Sequence, residues 1–141
     1  MWYRIKSRLN FLLKSSNQHG IHSPFVYDLI TKCFYDKTPF SAYHNLKALR
    51  NKLIYNQDLV KIKHYSEASK VFQSNHQKIS TSVKCEGSSY KKQKQLYRIT
   101  NYFKPKNVLE LGTSVGLGSA AMAIASNNSI IKTVEVNKNI S

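Results

Sequence analysis

The sequence predicts an α/β protein: an N-terminal helical region over residues 1–104, then the first strand-helix-strand unit of a parallel sheet over 105–141. Two observations carry this. Up to Phe103, apolar residues recur at helical spacing. After Pro105 the texture changes to a short apolar strand, a Gly-rich turn, a small-residue helix and a second strand. The chain has 141 residues, enough for about one domain. It is 41% hydrophobic with 9 Tyr and 6 Phe, which excludes a disordered chain.

The elements follow in order. Ile5, Leu9, Leu12 and Leu13 recur at i, i+4, i+7 and i+8, so residues 3–14 read as an amphipathic helix. Lys6, Arg8 and Lys14 lie off that stripe. A basic amphipathic helix can lie on an anionic membrane, but the stripe is short and packing into the core is expected. Residues 15–22 form a polar loop. Ser23-Pro24 opens a second helix, because Ser caps free N–H groups and Pro suits the first helical position. Phe25, Leu29, Ile30 and Cys33 are its apolar face, and Thr38-Pro39 breaks it. Ala42, Leu46, Leu49 and Leu53 mark a third helix. Residues 55–75 carry few cues. A fourth helix is expected around 76–85, with Gly87 just past its end. Ser88 or Ser89 caps a fifth, 90–103, with Leu96, Ile99, Thr100 and Phe103 inward and Lys91, Lys94 and Arg98 on a solvated face. Then come strand Val108–Leu111, turn Gly112–Gly118, helix 117–127, turn 127–129 and strand Ile130–Glu135. A unit of this length makes a right-handed parallel crossover.

Composition bounds the function. The longest apolar run, Ala120–Ala125, is far short of the roughly 18 residues of a membrane span. The charged N-terminus lacks the continuous apolar core of a secretory signal. Cys33 and Cys85 form neither a metal spacing nor a disulfide framework and read as free thiols of a reducing cytosol. The net charge is +15, from 22 basic and 7 acidic residues, and residues 1–106 hold all the excess. A basic helical nucleic-acid-binding module would use that charge. Yet Lys far outnumbers Arg, and base and phosphate readers favour the bidentate Arg fork. The Lys excess fits the composition of an AT-rich genome. His19 and His22 stand three apart in a loop without further ligands, so a hydrogen-bonding role is expected and no metal.

The chemistry lies in the turn and the next strand. Gly112 and Gly116 allow a tight turn and close approach of backbone to a ligand. Glu135 stands 23 residues after Gly112 at the tip of the second strand, where a carboxylate can accept from ribose hydroxyls. A nucleoside-containing ligand is expected. The dinucleotide pattern fails at Ser114 and Leu117, and the phosphate-loop pattern fails at Leu117 and Gly118. Glu110, within the first strand, would repel a phosphate and suits an ammonium group.

Val-Leu-Glu-Leu-Gly-Thr-Ser-Val-Gly-Leu-Gly over 108–118 resembles motif I of the class I S-adenosylmethionine-dependent methyltransferases, in the Gly-Thr-Ser form of the O-methyltransferase branch. His19-Gly20-Ile21-His22-Ser23-Pro24-Phe25-Val26-Tyr27 and Tyr102-Phe103-Lys104-Pro105-Lys106 are similar to the N-terminal part of a group common in Bacteroidetes-type bacteria. The resemblance implies a Rossmann-like fold and S-adenosyl-L-methionine as cofactor. It implies that Glu110 faces the methionine ammonium through water, that Gly112 and neighbouring backbone atoms contact the methionine moiety, and that Gly116 belongs to the same cofactor-binding turn. Thr113 or Ser114 would then bond its carboxylate, and Glu135 would hold the ribose. Gly118 is expected to serve helix–strand packing instead. The implied reaction is methyl transfer to a small molecule, cytoplasmic, with neither a membrane nor a specific nucleic acid as partner. Such a sheet has seven strands and this sequence supplies two, so a truncated member, inactive by itself, is expected; a non-catalytic remnant is the other reading.

Overall fold

The computed structural model describes residues 2–14, 20–62, 76–137 and 139. The chain divides into two compact units, Met1–Asp36 and Lys37–Ser141. The change of sequence texture at 104/105 therefore falls inside the second unit.

In the first unit, α1 spans Trp2–Lys14. It has the expected bounds but not the expected role. Within this unit none of its residues is buried, and Trp2 and Leu13 are 79% and 83% exposed, so the stripe joins no core there. Helix α2, Pro24–Asp28, starts as its sequence dictates: Pro24 takes the first position and the Ser23 hydroxyl accepts from the Val26 N–H at 3.4 Å. The chain continues as a π-helix over Leu29–Phe34. The Thr31 hydroxyl donates to the Tyr27 carbonyl at 2.8 Å and competes with the α-helical ladder where it widens.

The second unit holds α3 (Ala42–Ile54), β1 (Leu59–Lys61), β2 (His76–Lys78), α4 (Ile79–Cys85), α5 (Tyr90–Phe103), β3 (Asn107–Leu111), α6 (Leu117–Ala125) and β4 (Ile130–Val134). Its core joins Leu46 of α3, Tyr97 of α5 and Ala121 of α6, with Phe40 and Tyr43 beside them. Phe40, Tyr43 and Tyr97 stack as a triangle of rings with centroids 5.2–5.5 Å apart, in tilted and edge-on geometries that aromatic quadrupoles favour. Helix α5 starts at Ser89, whose hydroxyl accepts from Lys92 N–H. It stops at Lys104, which adopts a left-handed φ of 45° before Pro105.

Two expectations in this unit need correction. The helix placed at 76–85 begins only at Ile79, because residues 76–78 pair antiparallel with 59–61. Gln77 points inward there, and its amide donates to the buried Ser82 hydroxyl at 3.0 Å. Arg98 is not on a solvated face. It is buried and donates to the Tyr43 hydroxyl at 3.3 Å, while the Lys94 ammonium lies 5.0 Å from the Tyr90 ring centre. The basic face of α5 is thus partly committed to internal contacts.

Strands β3 and β4 are parallel and in register from Asn107↔Ile130 to Leu111↔Val134. Helix α6 connects them and packs on α5, α3 and β4. It covers one sheet face. On the other face Leu109 and Leu111 are 65% and 78% exposed. Among the described residues the fold is therefore mixed helix and strand, with two two-stranded sheets. No described helix is long and apolar enough to cross a membrane.

Candidate functional site

The Gly turn is built from alternating backbone signs. Gly112 has φ +88°, Ser114 +48° and Gly116 +71°. The left-handed region disfavours any residue with a Cβ, so Ser114 is held there by its surroundings. The holding bonds are visible. Gly112 N–H donates to Val134 C=O at 2.8 Å and extends the parallel ladder past its last pair. Ser114 N–H donates to Glu135 Oε2 at 2.7 Å. Gly116 N–H donates to Thr113 C=O at 3.0 Å, and Gly116 C=O accepts from Ala120 N–H to start α6.

Glu135 is the organising residue. Its Oε1 accepts from Val136 N–H and Asn137 N–H, each at 2.9 Å. Partial burial pushes its carboxyl up, but the N–H donors of Asn137, Ser114, Val136 and Thr113 outweigh burial and hold it below its ordinary value of 4.5. The residue stays anionic at neutral pH and ties the turn after β3 to the end of β4. The chain's own backbone donors thus surround this carboxylate.

Around this tie the turn offers ligand-binding capacity. The hydroxyls of Thr113 and Ser114 are buried and have no hydrogen-bond partner among the described residues. Buried polar atoms of this kind call for a partner. A Cβ at Gly112 or Gly116 would meet nothing within 4 Å, so the backbone there is open to close approach. Behind the turn, Val115 lines a small cavity with Leu53, Val60, Ile79, Ser82 and Asn139. At about 100 Å³ it is too small for a nucleoside.

The structure thus brings Gly112, Thr113, Ser114, Gly116 and Glu135 together. Glu110 lies apart from them. It points to the α6 side of the sheet, where its carboxylate accepts from the Ser119 hydroxyl and lies against Gly118. A Cβ on Gly118 would collide with that carboxylate, which explains why a glycine serves at this packing point. Sequence reasoning missed Ser119 as the partner of Glu110. The signal was present: a hydroxyl in the first turn of the helix that follows an acid-bearing strand. Of the loop histidines, His22 is exposed and His19 lies outside the described residues, as does His64. Among the described residues no three His, Cys, Asp or Glu side chains gather into a metal-holding group.

No family model, no curated protein and no solved structure matches this chain.

Proposed function

We propose that residues 105–141 form the cofactor-binding start of a Rossmann-like, S-adenosylmethionine-dependent methyltransferase. One observation carries the reading: two buried, unpartnered hydroxyls, Thr113 and Ser114, in a turn tied to the anionic Glu135. The cofactor has complementary groups. Its methionine carboxylate would accept from the two hydroxyls. Its ribose would donate to Glu135, sharing the carboxylate with the backbone donors, at the carboxyl ends of the strands where parallel sheets bind ligands. Its methionine moiety would lie along the open backbone of Gly112 and Gly116. Glu110, turned to α6 and engaged by Ser119, takes no direct part in this arrangement.

Held there, S-adenosylmethionine would supply a sulfonium-bound methyl whose carbon an oxygen nucleophile of a small molecule would attack in line, the neutral thioether S-adenosylhomocysteine leaving and the nucleophile's proton passing to solvent. This chain's residues bind and orient. Cys33 and Cys85 form no disulfide with each other, which suits a reducing cytoplasm. Two strands with one largely exposed face make an incomplete sheet, so these residues alone are expected to bind weakly and to transfer no methyl.

The test is a nuclear magnetic resonance titration of the 141-residue chain with millimolar S-adenosylhomocysteine. The amides of Gly112, Ser114, Gly116 and Val136 should shift, and Glu135→Ala should weaken the effect about 10- to 100-fold. Shifts at those amides with inorganic triphosphate instead, or none at all, would remove the cofactor from the site.

A further inference from the structure

Helix α1 is the feature that the cofactor site does not use. Trp2, Ile5, Leu9 and Leu13 lie on one face at helical spacing and line a shallow apolar groove with Lys6 and Asn10 at its side. Their exposure runs from 49% to 83%. The helix also carries Arg4, Lys6, Arg8 and Lys14 and no acid. At about 100° per residue, Lys6 and Arg8 fall on opposite flanks of the apolar stripe.

This arrangement selects its partner. A second copy would bring two sets of cations together with no acid between them. Nucleic acid would answer the cations and leave the stripe in water. An anionic bilayer answers both: the stripe enters the acyl boundary while the long basic side chains keep their heads among the phosphates. Trp2 and Tyr3, at the start of the helix, suit the headgroup level, where amphipathic rings prefer to lie. The sequence reading that assigns the stripe to the core has no use for a membrane, whereas the exposed stripe does. We propose that α1 is an interfacial helix that lies on, without crossing, a membrane rich in anionic lipid.

Trp2 is the single tryptophan of the chain, so its fluorescence reports on α1 alone. The 141-residue chain is titrated with vesicles of mixed phosphatidylglycerol and phosphatidylcholine, and with phosphatidylcholine alone. The expected result is a blue shift of Trp2 emission with the anionic vesicles, reversed by high salt. Lys6→Gln and Arg8→Gln should each weaken binding about five-fold. Leu9→Asn should abolish the shift while circular dichroism in buffer stays unchanged; the site is exposed, so the fold does not depend on it. No shift, or an equal shift with neutral vesicles, would overturn the proposal. So would an equal shift with duplex DNA, which would show that charge acts alone. Emission already blue in buffer and reverting on dilution would show that a second copy covers the stripe, and would overturn it too.

Discussion

Glu135 illustrates how one side chain can be structural and chemical at once. It accepts from backbone donors on both sides of a crossover, Ser114 from one turn and Val136 and Asn137 from the other. Because its folded-state pKa lies below the ordinary 4.5, the stabilisation is fully present above that value and is lost as pH falls through the lower, folded value. Glu135→Gln should therefore cost about 1 kcal/mol at neutral pH, as a charge-assisted acceptor is replaced by a neutral amide. The difference between wild type and variant should shrink steadily below pH 4.5 in urea denaturation followed by circular dichroism. A gap that stays constant with pH would mean that the carboxylate charge contributes nothing. Gly118 is the counterpart on the other acid: its missing Cβ is what lets Glu110 reach Ser119.

At the level of elements, legibility followed locality. Ser23-Pro24, and Ser88 or Ser89, were readable as caps because a cap bonds within three residues; the structure has the bond at Ser23 and, of the second pair, at Ser89. The strand, Gly turn, helix and strand of 107–134 were readable for the same reason, since each signal is contiguous. The β1–β2 pair was not. His76–Lys78 is too short to show an alternation, and its strand character comes from pairing with Leu59–Lys61, remote in sequence. Arg98 differs because a charged residue on a helix reads as exposed until its half-buried partner, Tyr43, is known. In the site, the turn and Glu135 were legible from spacing. The internal use of Glu110 and the positive φ of Ser114 were not, since both depend on packing around them. Lys104 offers an element-scale test. It ends α5 in a left-handed conformation that costs a side-chain-bearing residue roughly 1–2 kcal/mol. Part of that is returned by the extra freedom glycine gives the unfolded chain. Lys104→Gly should thus stabilise the protein by about 0.5–1 kcal/mol, seen as a higher urea midpoint with an unchanged slope. A lower midpoint would show that the lysine side chain itself anchors the helix end.

Across the whole molecule, the net charge of +15 and the uncovered β3–β4 face act in opposite senses. The face that bears Leu109 and Leu111 also bears Ile130 and Val134, and this apolar patch has no charge except Lys132. Parallel sheets are ordinarily covered on both faces, so such a surface is adhesive. The excess positive charge keeps neighbouring molecules apart as long as their fields reach across the solvent. That reach is a Debye length of about 30 Å at 0.01 M salt and about 3 Å at 1 M. The colloidal behaviour of this protein should therefore run against that of a protein held in clusters by ionic contacts: dispersed in dilute buffer, associating as sodium chloride rises. Dynamic light scattering across that range should show particle size growing with salt. The double substitution Leu109→Thr and Leu111→Thr should remove most of the growth, while Leu9→Asn on α1 should not. Growth that the α1 change alone abolished would move the adhesive surface from the sheet to the helix. The same bare face thus makes solubility a matter of ionic strength, with long-range repulsion standing in for a second layer of structure.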